Sequence, residues 1–221
     1  KKILFPTPTP ESKGIVIAPT MHNNFYIGPN AHEVDSKHSK NTTPEGLNEI
    51  ISGGDKLVEH LPLRDTITNF AGLRATERYK HDFIVQMDAP QFVNAVGIES
   101  PGLSSCLAIA ERIEGILEGD CGYNFLDKPN YKPKRVPPVR LEDLSEEELA
   151  ERIEHNSQWG NMVCRCEHVT EAEIVNACHA PIPCKNVDMV KRRLRAGMGR
   201  CQGGFCRPKV MKIISRERNM I

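Results

Sequence analysis

Residues 197–206 read GMGRCQGGFC and place four glycines and two cysteines in one short stretch. Three kinds of site combine glycine with a reactive residue in this way: a phosphate-binding loop, a disulfide and a metal site. A G-x-G-x-x-G phosphate loop is excluded, because Gln202 occupies the position of its third glycine. The role of this stretch therefore depends on its cysteines.

Six of the eight cysteines lie between Cys164 and Cys206. The opening residues KKILFPTPTP contain no apolar signal region, so we expect a cytoplasmic protein, either free or peripheral to the inner membrane. In a reducing compartment, clustered cysteines bind metals or carry out redox chemistry more often than they form disulfides. The metal site is therefore favoured over the disulfide.

The cysteines form two close pairs, Cys164-x-Cys166 and Cys201-x4-Cys206, with 34 residues between them. Structural zinc sites usually place two to four residues between paired ligands, so the single intervening residue favours an iron–sulfur centre. Four glycines are expected to permit positive φ, to let the backbone approach the sulfurs and to leave amides free to donate to them: Gly197, Gly199, Gly203 and Gly204.

Two further cysteines, Cys178 and Cys184, lie midway between the pairs. We interpret them as small core residues rather than ligands. A zinc site completed by His168 and His179 is the alternative.

The segments CRCEHVTEAEI and VKRRLRAGMGRCQGGFC resemble the [2Fe–2S] domain related to bacterioferritin-associated ferredoxin, over residues 163 to about 210. The resemblance implies a small all-helical domain that binds a [2Fe–2S] cluster. By position, its ligands are Cys164, Cys166, Cys201 and Cys206. The wide spacing of the last pair is similar to the version of this domain appended to flavin dehydrogenases.

Charge is divided unevenly along the chain. Residues 1–156 carry 17 Lys and Arg against 24 Asp and Glu, whereas residues 157–221 carry 12 against 5. The basic segment can bind nucleic acid, offset an anionic cofactor or dock an acidic redox partner. Nucleic acid is not favoured, because no aromatic residues alternate with the charges. The cations expected around the cluster are Arg165, Lys191, Arg192, Arg193, Arg195 and Arg200.

Two stretches of the first half carry chemistry. In NFAGLRATE, Arg74 can clamp an anionic substrate group, the alternative being a surface ion pair. In VGIESPGLSS, a turn leads into a helix N-terminus that favours negative charge, although a plain helix cap would look the same.

Together with APTMHNNFYIGPNA, these stretches resemble the C-terminal half of the FAD-dependent amine and hydroxy-acid oxidoreductases, nearest to the L-2-hydroxyglutarate oxidase and glycerol-3-phosphate dehydrogenase-like group. The resemblance implies that Arg74 contacts the acidic group of a small anionic substrate. It also implies that a turn lies against the flavin, namely Ser100, Pro101, Gly102, Leu103 and Ser104. His22 is a candidate general base, and a hydrogen-bonded loop histidine is the alternative.

The element pattern predicts an α+β protein. In the first half we expect strands at ILF, GIVIA, NFYIG, TITNFAGLRATE, DFIVQMD and FVNAVG, the last three in a mixed sheet. Three helices are expected. The first begins after an N-cap at Thr43 and runs to Leu61, the second begins after a cap at Ser100, and the third begins at a capping box formed by Ser145 and Glu148. The expected domains are 1–118, the C-terminal half of the FAD-dependent oxidoreductase domain; 119–161, a linker and helix; and 162–221, the [2Fe–2S] domain.

No G-x-G-x-x-G motif for the FAD pyrophosphate occurs in the chain, so we interpret it as the C-terminal portion of a longer flavoenzyme whose N-terminal FAD-binding half is missing. The parent is expected to oxidise a small hydroxy acid or a glycerol-3-phosphate-like substrate. Electrons would pass through the cluster to an acceptor protein or quinone. A non-catalytic interaction module stabilised by zinc or a cluster is the alternative. No transmembrane segment is expected, because no apolar run approaches the ~18 residues that a span needs.

Overall fold

The computed structural model describes residues 2–8 and 14–219. Within them the chain is α+β, as predicted, with six helices and six short strands. It divides into two compact units, the first formed by residues 1–63 and 69–132 and the second by residues 64–68 and 133–221.

The first unit begins with an antiparallel hairpin of β1 (Val16–Pro19) and β2 (Phe25–Gly28). The strand predicted at ILF is reduced to a single bridge between Leu4 and Ile17. Helix α1 (Pro44–Asp55) starts at the predicted cap, where Thr43 Oγ1 accepts the N–H of Gly46 at 3.1 Å.

Helix α1 ends earlier than predicted, so Leu57, Val58 and Leu61 lie beyond it. The N–H groups of Leu57 and Val58 both bond to the carbonyl of Gly54. Gly53 and Gly54 are poor helix formers, so the helix stops at this point rather than continuing through the next apolar residues.

A second antiparallel hairpin follows, made of β3 (Ile84–Ala89) and β4 (Phe92–Val96). The predicted mixed sheet is wrong: the described strands form three separate two-stranded antiparallel sheets. TITNFAGLRATE contributes no strand. Two polar side chains of this segment bond to residues outside it. Asn69 Oδ1 accepts from Thr42 Oγ1 at 3.0 Å, and the Thr76 hydroxyl donates to Glu99.

Helix α2 (Gly102–Gly119) packs against this second hairpin. The predicted cap at Ser100 is wrong, because the N-cap position belongs to Pro101 and no side chain caps the helix. The N–H of Gly102 bonds to the Glu99 carbonyl at 2.6 Å, so the turn closes on backbone instead of on the Ser100 hydroxyl.

The second unit begins with α3 (Glu146–His155), whose predicted capping box of Ser145 and Glu148 is confirmed. It continues through the hairpin of β5 (Met162–Cys164) and β6 (Val169–Thr170), then α4 (Glu171–Cys178), α5 (Val187–Leu194) and α6 (Arg207–Glu217). The expectation of an all-helical domain is therefore wrong, because the domain also contains the small hairpin of β5 and β6. The helices enclose a core whose most buried side chains include Ile174, Val190 and Val210.

No helix among the described residues has the length and apolar character needed to cross a bilayer.

Candidate functional site

The two cysteine pairs meet at one place in the second unit. Cys164 ends β5 and Cys166 lies in the turn to β6, whereas Cys201 lies in the loop after α5 and Cys206 directly precedes α6. The Sγ atoms of Cys166 and Cys201 are 3.7 Å apart. Cys164 lies close enough to Cys206 to raise the pKa of the Cys206 thiol. Each contact joins one cysteine of the first motif to one of the second.

The 3.7 Å separation has a chemical meaning. Two thiolates on one tetrahedral metal, with metal–sulfur bonds of about 2.3 Å, lie about 3.8 Å apart. The separation of Cys166 and Cys201 is therefore compatible with two thiolates on one metal ion. Cys164 and Cys206 form the second pair that a two-metal cluster with four thiolates requires.

Within residues 2–8 and 14–219, no three His, Cys, Asp or Glu side chains gather closely enough to hold a single metal ion. The four thiols nevertheless interact across the pairs, since Cys166 feels the charge of Cys164 and Cys206 that of Cys201. The arrangement is two neighbouring pairs, and this fits the donor set of a [2Fe–2S] cluster.

The two pairs differ in exposure. Cys164 and Cys206 are buried, with 1% and 3% of their surface exposed. Burial, followed by the neighbouring Cys164, raises the pKa of the Cys206 thiol to about 11. Cys166 is exposed and Cys201 is half-buried. One side of the site therefore faces the core and the other faces solvent.

Backbone amides surround the sulfur of Cys201. The backbone amides of Phe205, Gly203 and, least, Gly204 lie near this sulfur and lower the pKa of the Cys201 thiol, while the N–H of Gly204 donates to the Cys201 carbonyl at 2.9 Å. The N–H of Cys201 in turn donates to the sulfur of Cys166, although the neighbouring thiols outweigh this and the pKa of Cys166 is raised. Such donors stabilise negative charge on sulfur, as a thiolate-bound cluster requires.

The glycines serve the loop in two ways. Gly197 and Gly203 have φ of 96° and 85°, in the left-handed region that favours glycine. Gly199 allows a close approach, because a Cβ at that position would overlap Cys166 Cβ and lie 3.4 Å from Cys166 Sγ. The prediction of positive φ holds for two of the four glycines. Gly199 and Gly204 instead allow a close approach, since a Cβ at Gly204 would lie 3.2 Å from the Cys201 carbonyl oxygen.

Cys178 and Cys184 are buried in the core of the second unit, as predicted. The N–H of Cys184 bonds to the Ala177 carbonyl at 2.9 Å, which holds it beside the end of α4. The His179 ring bonds to Glu217 at 2.7 Å, so this imidazole is engaged in a contact between α4 and α6.

In the first unit, Arg74 lies beside the turn predicted to contact the flavin. Its Nε is 3.0 Å from Glu99 Oε2, and its side chain remains 57% exposed. Glu99 directly precedes the turn and also accepts from Thr76. Glu99 was missed at the sequence level; its signal is an acidic residue immediately before Ser100-Pro101-Gly102, close to a candidate anion-binding arginine.

The remaining predicted residues are placed as follows. Ser100 and Pro101 form the turn, and Gly102, Leu103 and Ser104 begin α2, where Ser104 Oγ donates to the Pro101 carbonyl at 2.9 Å. His22 lies in the turn between β1 and β2, with its N–H donating to Thr20 Oγ1 at 3.2 Å. His22 and Arg74 are thus positioned by different elements of the unit.

Two families match the chain. The BFD-like [2Fe-2S] binding domain matches residues 162–216. The FAD dependent oxidoreductase family matches residues 1–114.

Three relatives illustrate the similarity. Glycerol 3-phosphate dehydrogenase of Caloramator mitchellensis is 46% identical over 220 residues, which are 98% of this chain and 45% of that protein. Glycerol 3-phosphate oxidase of Mycoplasma genitalium is 33% identical over 132 residues, 58% of this chain and 34% of the relative. Glycerol 3-phosphate oxidase of Mycoplasma pneumoniae is 29% identical over 135 residues, 60% of this chain and 34% of the relative.

The chain thus spans less than half the length of these relatives. No solved structure matches it. Because the oxidoreductase match covers more than half of its residues, the chain belongs to the FAD dependent oxidoreductase family, and it carries a BFD-like [2Fe-2S] binding domain at residues 162–216.

Proposed function

We propose that this chain is part of a flavin-dependent dehydrogenase that oxidises a glycerol-3-phosphate-like substrate and passes the electrons through a [2Fe–2S] cluster. The observation that carries the proposal is the 3.7 Å contact between Cys166 and Cys201 beside the second pair, Cys164 and Cys206. The similarity to a glycerol 3-phosphate dehydrogenase over 98% of the chain supports the substrate class.

The cysteines would hold the cluster in crosswise pairs. Cys166 and Cys201 would share one iron, and Cys164 and Cys206 the other. When bound, the cluster supplies a one-electron carrier and FAD supplies a hydride acceptor. The buried pair anchors the cluster to the core, and the amides of Phe205, Gly203 and Gly204 stabilise charge on Cys201.

Arg74 would bind and orient the anionic group of the substrate. Its ion pair with Glu99 uses Nε, and the exposure of its side chain leaves guanidinium surface within reach of a ligand. Glu99 thereby fixes the direction of the side chain. An arginine clamp of this kind suits a phosphate or carboxylate group.

The turn at Ser100–Ser104 would lie against the flavin. The first turn of an α-helix carries N–H groups without helical partners and a partial positive charge. At the start of α2 these groups would stabilise negative charge on the reduced ring. His22 is proposed as the base that accepts a proton from the substrate hydroxyl.

The cluster is tested by metal analysis. Protein purified and kept under anaerobic conditions should contain about two iron and two sulfide per chain and should absorb visible light. Cys166→Ser and Cys206→Ser should each lose this absorption, whereas Cys178→Ala should retain it. Stoichiometric zinc with no sulfide would contradict the proposal.

The substrate site is tested in the longer polypeptide that also contains an FAD-binding half. Arg74→Gln should raise KM for glycerol 3-phosphate roughly 10- to 100-fold, because a hydrogen bond to a charged group contributes about 1.5–3 kcal/mol. FAD content should stay unchanged. An unchanged KM would assign Arg74 to a surface ion pair only. Rescue by Arg74→Lys should be partial, since lysine keeps the charge but not the fork geometry.

A further inference from the structure

The solvent-facing side of the cysteine site combines three features. Cys166 is exposed and Cys201 half-buried, so this pair forms the accessible edge of the site. Phe205 lies beside it with 84% of its surface exposed, while its own N–H donates to the Cys201 sulfur. A large exposed aromatic ring next to a redox centre provides apolar contact area that the second unit does not use for its core.

Exposed arginines flank the same edge. Arg165 lies between Cys164 and Cys166, Arg200 directly precedes Cys201, and all three cysteines belong to the site. Arg200 is 78% exposed, and its contact with Asp65 is a long one of 3.8 Å between two exposed groups. An ion pair of this kind contributes little and leaves the guanidinium available to a partner.

The carboxylates of residues 157–221 do not neutralise this edge. Glu167 pairs with Arg195 at 2.6 Å, and Glu217 with His179 at 2.7 Å. Glu171 and Glu173 are buried, and Asp188 lies in the first turn of α5. The other carboxylates after residue 140 are concentrated on and just before α3, which packs against the turn at Ser157–Gly160.

We propose that this edge, formed by Arg165, Cys166, Arg200, Cys201 and Phe205, docks an acidic one-electron acceptor protein. The inference rests on the proposed function, since it needs a cluster on these cysteines. The positive charge of Arg165 and Arg200 attracts an acidic surface and orients it during encounter, and the exposed ring of Phe205 is covered when the surfaces meet. The electron leaves through Cys166 and Cys201, because the other two sulfurs are enclosed by the core.

The step is a single electron transfer. One ferrous iron of the reduced cluster becomes ferric, the acceptor is reduced by one electron, and no proton or bond moves. A substrate oxidation releases two electrons, so each turnover requires two such encounters.

The arginines have another conceivable role, which is to offset the negative charge of the cluster itself. In that case charge reversal shifts the midpoint potential and slows transfer to every acceptor alike. If the arginines dock the acceptor, charge reversal instead changes how the rate of electron transfer depends on the charge of the acceptor and on salt concentration. These consequences can be separated with two acceptors of opposite charge.

The experiment uses the anaerobic, cluster-loaded chain, reduced with dithionite and mixed with plastocyanin, an acidic acceptor, or with cytochrome c, a basic one. The variants are Arg165→Glu and Arg200→Glu. Lys185→Glu is the matched control, since this exposed lysine follows a core cysteine instead of a cluster ligand and changes the net charge equally. Iron, sulfide and the midpoint potential are measured for each protein first.

We expect transfer to plastocyanin to slow steeply as salt is raised, and to fall at least about tenfold at low salt in each arginine variant. Lys185→Glu should stay within about twofold of the parent, and cytochrome c should react no more slowly with the variants. Equilibrium binding of oxidised plastocyanin to the oxidised chain should also weaken in both arginine variants and stay nearly unchanged in Lys185→Glu. This readout involves no electron transfer.

The docking proposal would be overturned if the arginine variants lost the same fraction of their transfer rate with both acceptors. It would also be overturned if Lys185→Glu slowed transfer to plastocyanin as much as the arginine variants do. Either result would leave the cluster proposal intact. Plastocyanin rates that do not depend on salt would likewise overturn the docking proposal and leave the cluster proposal intact. Protein without iron and sulfide would instead refute the proposed function, and the metal analysis identifies that outcome before any kinetics.

Discussion

Replacing Gly199 by alanine should prevent the cysteine site from assembling. The added Cβ would lie closer than 3.0 Å to Cys166 Cβ, 3.1 Å from Glu167 Oε1 and 3.4 Å from Cys166 Sγ. Carbon atoms in contact are separated by about 3.5–4.0 Å, so the two loops must move apart by roughly an ångström. Overpacking of this kind costs about 1–3 kcal/mol of stability.

The same displacement is larger than a metal site tolerates. Ligand distances in metal sites hold to within about 0.2 Å, and the 3.7 Å separation of Cys166 and Cys201 already suits two ligands of one metal. An ångström of separation therefore disrupts the pair. We expect Gly199→Ala to retain less than about a tenth of the parent iron and sulfide, and to unfold at a lower denaturant concentration.

Gly160→Ala is the control, because its Cβ would make only ordinary contacts of 3.6–3.7 Å with Ile153. This variant should keep the full iron and sulfide content and the visible absorption. Iron, sulfide and absorption are measured anaerobically for both proteins, and stability by denaturant titration. Full cluster content in Gly199→Ala, with unchanged stability, would refute the argument that the loops need this close approach.

Three further outcomes are expected in the second unit. Cys178→Ala should leave iron and sulfide unchanged and reduce stability by only about 1 kcal/mol, since it removes one buried sulfur from the core; loss of the cluster would show that this cysteine is a ligand. Thr170→Ala should lower the free energy of unfolding by about 1–2 kcal/mol, because the buried capping box with Glu173 loses its hydroxyl; urea titration measures the change. The His179 and Arg216 hydrogen bonds hold the pKa of Glu217 below its ordinary value of 4.5. The resulting stabilisation is therefore complete above that value and is lost as pH falls through the lower folded-state pKa. Stability of the parent and of Glu217→Gln, measured from pH 7 down to pH 3, should differ at neutral pH and converge in acid; a constant difference would contradict the assignment.

The helix starts show which features can be predicted from sequence. Thr43 and Ser145 cap α1 and α3 as expected, because a cap depends on residues within one turn of the chain. Ser100 has the right chemistry but does not cap α2. There the Glu99 carbonyl takes the N–H of Gly102, and the helix begins one step further on.

The mixed sheet was wrong for a non-local reason. Alternating apolar residues indicate that a segment can form a strand, but they do not specify its partner. The stretch around Arg74 contains Gly72 and uses Thr76 to bind Glu99, so its polar groups are engaged outside a ladder. The hairpin of β3 and β4 forms because its partners are close in sequence.

The cysteine site was predicted in part. Spacing and resemblance predict the four ligands, and their role as ligands stays a prediction; the structure brings Cys166 next to Cys201 and Cys164 next to Cys206. Sequence proximity does not show that Cys166 contacts Cys201, because that contact depends on how the turn after β5 meets the loop after α5. The donation of the Phe205 amide to Cys201 is likewise invisible in the sequence, since every residue except proline carries such an amide.

The contacts before β5 affect where the iron–sulfur unit can be cut for separate expression. Glu173 is buried, and its carboxylate accepts the N–H of Leu141 at 3.2 Å. Trp159 is 6% exposed, and the Asn161 carbonyl accepts the first N–H of α4 at 2.9 Å. A chain shortened to residue 162, where the family match begins, would leave Glu173 buried without that donor and expose the apolar surface under Trp159. Starting at Pro133, where the compact unit resumes, keeps these partners and leaves out only residues 64–68 of that unit, so we expect such a chain to fold on its own.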